Sequence, residues 1–244
     1  MGMPAIAETR VKSEINCPAL GSMQLRLTHL SKFHMGFLPE GGSKKGEVGF
    51  SIEEYAALRP TLWHLTHVDN LRSIRESRVL RTAEDLTSSV AGLPRQGREL
   101  PAGTAVLRDQ KLLHEKCIIF EEGFSMAEFL RELNKRVFFW SGRQEGPVRA
   151  GKRALDHYRA SDFLIRLPFL DVAKNQTPYF SRCNSGAPRM QHGKPVARGR
   201  RTFLPAIECD FQPREVIEVT FIEPVRLSQR TEIAQFLAGP WEHL

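Results

Sequence analysis

His64 and Thr66 are polar residues whose types and spacing suit ligand binding. They alternate with apolar residues in the segment 62–68, so on a β-strand both side chains lie on one face. The strand leads into a predicted helix over 70–76, with Asp69 as a suitable N-cap, and the first N–H groups of a helix can bind phosphate. This arrangement predicts a nucleotide site. The alternative is structural, with both side chains hydrogen-bonded to the backbone of a half-buried strand.

An arginine-rich segment, residues 182–201, is the second feature with a chemical meaning. It contains glycines and prolines but no Asp or Glu, and such a segment cannot build a core of its own. We therefore predict a loop with a positive field that binds phosphates through charge-assisted hydrogen bonds. A solvated charged loop without a ligand is the alternative. Its basic residues are Arg182, Arg189, Lys194, Arg198, Arg200 and Arg201.

The segment 136–141 has the clearest strand pattern in the chain. It is aromatic and β-branched, and Gly142 follows it, so we predict a central strand. Phe138 and Trp140 share one face under the strand period. They either form an aromatic wall beside a ligand or belong to the core, where aromatic residues are common.

The elements that position these residues are short. A capping box at Ser51 begins a helix that Pro60 ends, and a second capping box at Ser125 begins a helix that runs to Asn134. Further strands are predicted over 162–167, 202–207 and 216–221, and further helices over 148–159 and 228–237. Short strands mixed irregularly with short helices indicate an α+β fold.

The composition is that of a globular protein with an anionic partner. Of 244 residues, 41% are hydrophobic and 26% are charged, and the net charge is +7. The four cysteines lack CxxC spacing, which fits reduced thiols in a cytoplasm. The sequence has no signal-peptide pattern and no apolar run near the roughly 20 residues of a membrane span. We therefore expect a cytoplasmic protein that does not bind membranes.

Several function classes lack their motifs. The sequence has no Gly-x-Gly-x-x-Gly after a strand, no phosphate loop and no Gly-x-Ser-x-Gly elbow. His64 and His67 fall on opposite faces of a strand, and the other His and Cys residues have no ligand spacing, so we predict no metal site.

The domain organisation follows from a glycine-rich and lysine-rich break at 41–46. We expect residues 1–50 to form a flexible extension. Residues 51–244 then form a single domain.

Two protein families have motifs similar to these. The opening strand and helix of the DarT-type nucleic-acid ADP-ribosyltransferases resemble Trp63 to Leu71. An uncharacterised bacterial family without an assigned activity is similar over roughly residues 60 to 212, and this second match is the more specific. The segments that carry the second resemblance are 107–110, 133–140, 184–187 and 198–203.

The DarT resemblance implies an ADP-ribosyltransferase-like α+β fold whose split sheet, of mixed or antiparallel strands, holds NAD in a cleft. It implies that His64 and Thr66 face the nicotinamide-side amide and ribose, with Asn70 near the phosphates. Imidazole and hydroxyl groups can hydrogen-bond such partners. The other residues expected to contact NAD are Arg108, Asp109, Gln110, Phe138, Trp140 and Ser141.

In the same comparison Arg108 contacts the pyrophosphate or the departing nicotinamide, and Asp109 or Gln110 orients it. Phe138 and Trp140 form a wall against the nicotinamide ring. The 182–201 loop is expected to present an acceptor, either DNA or RNA. The residues expected to bind that acceptor are Asn184, Ser185, Arg198, Arg200, Arg201 and Thr202.

The chain departs from the DarT-type pattern at the catalytic residue. Those enzymes carry a Glu at the start of a late strand, whereas this chain has Thr202 in that place. A threonine lacks the negative charge that would stabilise an oxocarbenium-like ribose and deprotonate the acceptor. Glu208 and Asp210 share strand parity with Thr202, although Pro205 intervenes. Glu208, together with Arg108, is therefore the predicted catalytic residue.

The leading hypothesis is an NAD-dependent ADP-ribosyltransferase-like enzyme that modifies a nucleic acid. One alternative is a non-catalytic module that binds a nucleotide or nucleic acid without the family's catalytic Glu. Another is a DNA- or RNA-binding protein with no NAD site. The sequence does not predict the oligomeric state.

Overall fold

The computed structural model describes residues 49–86, 105–107, 113, 118–155, 161–186, 190–191 and 194–244. Residues 1–48 of the predicted extension lie outside these ranges. The predicted ligand-binding residues Arg108, Asp109 and Gln110 lie outside them as well. Phe50 belongs to the folded unit, because it is buried in the main core. Within the described residues, no helix has the length and apolar character needed to cross a membrane.

The described elements are short strands and short helices. The strands are β1 (Thr61–His67), β2 (Val79–Leu80), β3 (Val137–Arg143), β4 (Gly146–Pro147), β5 (Asp162–Pro168), β6 (Tyr179–Ser181), β7 (Met190–Gln191), β8 (Lys194–Pro195), β9 (Leu204–Pro205), β10 (Glu218–Phe221), β11 (Val225–Arg226), β12 (Glu232–Ala234) and β13 (Glu242–His243). The helices are α1 (Ile52–Leu58), α2 (Leu71–Ser77), α3 (Ala83–Leu86), α4 (Met126–Asn134), α5 (Arg149–Leu155) and α6 (Phe169–Ala173).

A single antiparallel sheet organises these elements. Its hydrogen-bonded order is β13-β12-β5-β1-β3-β10-β6-β9, with β4 paired to the end of β3. The pairs β11-β2 and β7-β8 form two small separate sheets. The α+β class with short helices and a mostly antiparallel sheet is therefore confirmed, and β3 is central as predicted.

The two faces of the sheet carry separate cores, because side chains alternate along each strand. On one face Leu62, Phe139, Ile165 and Val219 are fully buried, and residues of α1, α2 and α6 belong to the same cluster. On the other face, α4 packs in a smaller cluster. That cluster includes Phe129, Leu130, Leu133 and Phe203, with Phe138 partly buried against it.

Both predicted capping boxes are confirmed. The hydroxyl of Ser51 accepts from the N–H of Glu54 at 3.0 Å, and Glu54 accepts from the N–H of Ser51 at 2.8 Å. Ser125 and Glu128 make the same pair of bonds at 3.2 and 2.8 Å. These reciprocal bonds satisfy helix N–H groups that have no partner within the helix. They fix the starts of α1 and α4.

Two predicted elements of the C-terminal part are wrong. The segment 202–207 is not one strand, because a 3-10 turn ends at Thr202, β9 has two residues, and a second 3-10 turn spans Ala206–Glu208. Pro205, which has no N–H, lies at that break. The segment 228–237 is not a helix: its residues Glu232–Ala234 form β12, which pairs with β5.

The predicted N-cap at Asp69 is also wrong. A 3-10 turn, Val68–Asn70, lies between β1 and α2, and its cap is His67. The Nδ1 atom of His67 accepts from the N–H of Asp69 at 3.2 Å. The helix itself begins one residue later than the sequence suggested, at Leu71.

Candidate functional site

A cavity of about 220 Å³ lies beside β1 and β3, next to Trp140 and His64. Its walls come from β1, β3 and β10, from the end of α4 and from the turn after β6. Its polar lining residues are His64, Asn134, Arg136, Asn184, Ser185 and Glu218, and its aromatic ones are Trp63, Phe138, Phe139 and Trp140. A mainly apolar cavity with a few convergent polar groups is the usual form of a small-molecule site.

The strands β1 and β3 separate from each other at His64, on one wall of this cavity. Their ladder has three residue pairs and ends at Trp63–Trp140, although each strand has seven residues. Beyond that pair, Nδ1 of His64 donates to the carbonyl oxygen of Phe138 at 2.9 Å. Because a carbonyl oxygen only accepts, Nδ1 is the protonated ring nitrogen. The imidazole therefore bridges the diverging strands.

Glu218 is a buried carboxylate in the cavity, and the sequence prediction missed it. It lies on β10 opposite Trp140 in register, and only 4% of the residue is exposed. The backbone N–H of Ser185 donates to its Oε2 atom at 2.9 Å. Glutamate is rarely buried to this extent unless it is paired. The available signal in the sequence is a carboxylate inside the mostly apolar strand segment 216–221.

The turn after β6 brings polar groups against Glu218. The hydroxyl of Ser181 accepts from the N–H of Cys183 at 3.3 Å and donates to the carbonyl of Cys183 at 3.2 Å, which holds the chain as it leaves the strand. Ser185 is buried, and both Asn184 and Ser185 line the cavity. The structure thus brings these two predicted acceptor-binding residues to the same place as His64, Phe138 and Trp140.

Arg136 brings a positive charge to the cavity, and it too was missed. It is 8% exposed and donates to Glu132 at 3.2 Å and to the hydroxyl of Thr220 at 3.3 Å. Its guanidinium lies over the rings of Tyr179 and Phe203, with 4.9 and 4.5 Å to the centroids. Burial lowers the pKa of Arg136, and the hydrogen bond to Glu132 opposes that effect. Its buried Nε has no hydrogen-bond partner within the described part of the chain.

A second cavity, of about 160 Å³, adjoins the first at His64 and is lined by Thr66 and Asn70. The carboxamide of Asn70 accepts from the N–H of Val106 at 2.7 Å and donates to its carbonyl at 3.0 Å. It also lies 3.2 Å from the hydroxyl of Thr66, to which it donates. Thr66 and Asn70 therefore lie beside His64 as expected, while their polar groups bond within the protein and anchor the segment 105–107.

The predicted catalytic Glu208 does not line either cavity. It is exposed in the turn Ala206–Glu208, because the chain leaves the sheet at Pro205 and the parity with Thr202 is lost. Ser141 also lines neither cavity. Its hydroxyl donates to the carbonyl of Val216 at 2.8 Å. The carboxylate that the structure offers to the cavity is Glu218.

The predicted basic loop is partly folded instead of being a solvated positive surface. Arg198 is 1% exposed, and its guanidinium donates to the carbonyl of Val196 at 2.9 Å. The hydroxyl of Thr202 accepts from a backbone N–H at 2.8 Å. Arg201 is exposed and bonds to Asp210 at 3.0 Å, and Arg200 is exposed. These four residues line neither cavity.

The donor set of the site suits an organic ligand. Among the described residues, no group of three His, Cys, Asp or Glu side chains is placed to hold a metal ion. The cavity instead combines a carboxylate, an imidazole, a guanidinium and an indole. Such groups bind a polar ring compound with an anionic part through hydrogen bonds, stacking and charge.

These features define an α+β protein with a carboxylate-bearing cavity at the divergence of two central strands. The chain belongs to the family described as "Family of unknown function (DUF7002)", whose model matches residues 60–231. The match includes every residue of the cavity named above. It confirms the expectation of a family without an assigned activity. The comparison with curated proteins gives no match.

Proposed function

We propose that the cavity binds NAD and that the protein transfers ADP-ribose from it, with Glu218 as the catalytic carboxylate. The observation that carries the proposal is a buried glutamate beside an indole, in a cavity that also contains an imidazole and a guanidinium. The resemblance of Trp63 to Leu71 to the DarT-type enzymes adds NAD as the specific co-substrate.

The reaction requires a negative charge at one point. The bond between the ribose C1′ and the nicotinamide nitrogen breaks, the electron pair leaves with nicotinamide, and C1′ gains positive character. A carboxylate held against C1′ stabilises that charge, as in glycosidases. The nucleophilic atom of the acceptor then bonds to C1′, and Glu218 takes the proton that this atom loses. The Ser185 N–H fixes one carboxylate oxygen for both tasks.

The other cavity residues suit the remaining parts of NAD. Trp140 and Phe138 offer ring faces for the nicotinamide. Arg136 is a fixed cation whose Nε has no partner among the described residues, which suits a phosphate oxygen. His64 stands between the two cavities and suits the ribose or the carboxamide. The two adjoining cavities give an elongated ligand room on both sides of the imidazole.

The backbone arrangement also favours this proposal. The DarT resemblance implies a sheet that splits to admit NAD, and the ladder between β1 and β3 stops after three pairs, at the cavity. Thr202, the residue at the place of the expected Glu, is a buried structural residue here. In this proposal Glu218, on β10, supplies the catalytic carboxylate instead.

A non-catalytic nucleotide-binding module is the second candidate. The hydrogen bond from Ser185 favours it, because a carboxylate that holds the 184–186 turn needs no chemical role. In that case NAD or a related nucleotide would bind without being consumed. Calorimetry that shows tight NAD binding, with no nicotinamide released, would favour this module.

Incubation of the full chain with labelled NAD tests the proposal. Separate reactions contain single-stranded DNA, RNA or cell extract as the acceptor. We expect labelled product with at least one acceptor, and release of nicotinamide in the same tube. Absence of both transfer and NAD hydrolysis with every acceptor would contradict the enzyme proposal.

A further inference from the structure

Helix α5 presents a concentrated positive charge without acidic residues. Arg149, Lys152 and Arg153 are exposed, and the helix contains no Asp or Glu. Within the described ranges, none of these three side chains forms an ion pair. Three like charges on two turns of helix repel one another, which costs stability unless an anion lies against them.

The same helix packs directly on the cavity wall. A Cβ atom at Gly151 would lie 2.9 Å from Cγ of Trp140 and 2.8 Å from Cβ of Pro147, so the helix backbone and the indole are in contact. At 3.6 residues per turn, Arg149 and Arg153 lie on the side of α5 away from Gly151, and Lys152 lies on the flank between the two sides. Arg149 and Arg153 therefore stand about 10 Å, one helix diameter, from the Trp140 that lines the cavity.

The 182–201 segment is the poorer candidate for the same task. Of its described arginines, Arg198 is buried and Arg201 is already bonded to Asp210, whereas Arg200 is exposed. A cation that has an acidic partner must lose that partner before it binds a phosphate, and a buried cation does not reach one. The three cations of α5 are exposed, and none of them has an acidic partner within the described residues.

We propose that the exposed face of α5, formed by Arg149, Lys152 and Arg153, binds the phosphate backbone of a single-stranded nucleic acid. The choice of nucleic acid as the polyanion rests on the proposed ADP-ribosyl transfer, whereas the binding itself needs no NAD. A cavity of about 220 Å³ does not admit a duplex, so a base that reacts there must be unpaired.

Fluorescence anisotropy with a labelled single-stranded DNA and the matching RNA, in the absence of NAD, tests this surface. The test variant is Arg149→Gln/Lys152→Gln/Arg153→Gln. Each phosphate contact on a single strand adds about 0.7 to the salt slope, so this variant is expected to lower the slope by about 2. At about 0.1 M salt, that change weakens binding about 100-fold.

A matched variant with the same loss of charge is Lys174→Gln/Arg214→Gln/Arg226→Gln, because all three residues are exposed and lie outside α5. We expect it to change the affinity less than about threefold, since general charge effects are small beside direct contacts. Circular dichroism checks that both variants fold. A further variant, Arg200→Gln/Arg201→Gln, measures the contribution of the 182–201 segment.

Equal weakening in the α5 variant and the matched variant would overturn the proposal, as would a larger loss in Arg200→Gln/Arg201→Gln. Tighter binding to duplex than to single strands, or to anionic lipid vesicles than to either nucleic acid, would also overturn it. If the protein binds nucleic acid through α5 but transfers no ADP-ribose, the enzyme proposal alone is contradicted. Transfer to nucleic acid that persists at the full rate in the α5 variant contradicts this inference alone.

Discussion

Replacing Glu218 with glutamine removes one negative charge from the cavity and leaves its shape almost unchanged. The amide oxygen of glutamine can still accept from the N–H of Ser185, which donates to Oε2 at 2.9 Å. A bond to a charged acceptor becomes a bond to a neutral one, so the free energy of unfolding falls by about 1 kcal/mol. The variant should fold and should still bind NAD.

The expected effect on turnover is much larger. A fixed group that stabilises charge in the transition state contributes about 2.7–4 kcal/mol, so kcat is expected to fall about 10²–10³-fold in Glu218→Gln. The KM for NAD should change little, because the charge at C1′ develops as the bond breaks and is small in the bound substrate. A low kcat at nearly constant KM separates a catalytic carboxylate from one that only shapes the site.

Release of nicotinamide, followed by chromatography at several NAD concentrations, measures both constants. Glu208→Gln is the matched control, because Glu208 is exposed and is the carboxylate that strand parity selects. We expect wild-type kinetics from this control. A wild-type kcat in Glu218→Gln, or a large loss in Glu208→Gln, would refute the assignment of Glu218.

Three further predictions concern the surroundings of the site. His64→Ala removes the bond to the Phe138 carbonyl and is expected to weaken NAD binding about 10-fold by calorimetry; an unchanged Kd would remove His64 from the site. Asn70→Ala leaves both backbone groups of Val106 without their partner and should lower the urea-unfolding free energy by about 1–3 kcal/mol, with no change contradicting the anchoring role. The hydrogen bond from Arg166 lowers the pKa of the Glu232 carboxyl in the folded protein. The stabilisation of the fold by this carboxylate is therefore complete above the unfolded-state pKa of about 4.3, and it is lost as the pH falls through the lower pKa of the folded state. Glu232→Gln should flatten that part of the urea-midpoint profile, and a parallel profile would show that the pair does not contribute.

The sequence predicts those elements that local rules decide. The capping boxes at Ser51 and Ser125 and the aromatic strand around Trp140 are in the structure where the pattern indicates them. In each case the side-chain pattern and the backbone preference agree, and no distant contact opposes them. The same holds for β1, which brings His64 to the cavity.

The segment 228–237 shows why other elements could not be predicted. The spacing of Ile233, Phe236 and Leu237 fits a helix, yet Ile233 is buried in register with Ile165 of β5. Pairing with the edge of the sheet decides the local structure there, and a single sequence does not reveal which edge is open. Phe236 is exposed, which the helical pattern did not anticipate.

The site was only half predictable for a related reason. His64, Phe138, Trp140, Asn184 and Ser185 are in motifs that stand out in the sequence, and the structure brings them together. Glu218 lies on β10 and Arg136 directly precedes β3, and their position at the cavity depends on which strands become neighbours. Parity counted from Thr202 instead selected Glu208, because it assumed an unbroken strand through Pro205.

A structure of the protein with NAD bound is the sharpest test of the cavity and of the role of Glu218. We predict that the nicotinamide ring packs against Trp140 and that the ribose C1′ lies within about 4 Å of the Glu218 carboxylate, near reacting distance. The Arg136 guanidinium should contact a phosphate oxygen in the same complex. NAD bound elsewhere on the protein, or no NAD in the cavity at a saturating concentration, would contradict the proposed function.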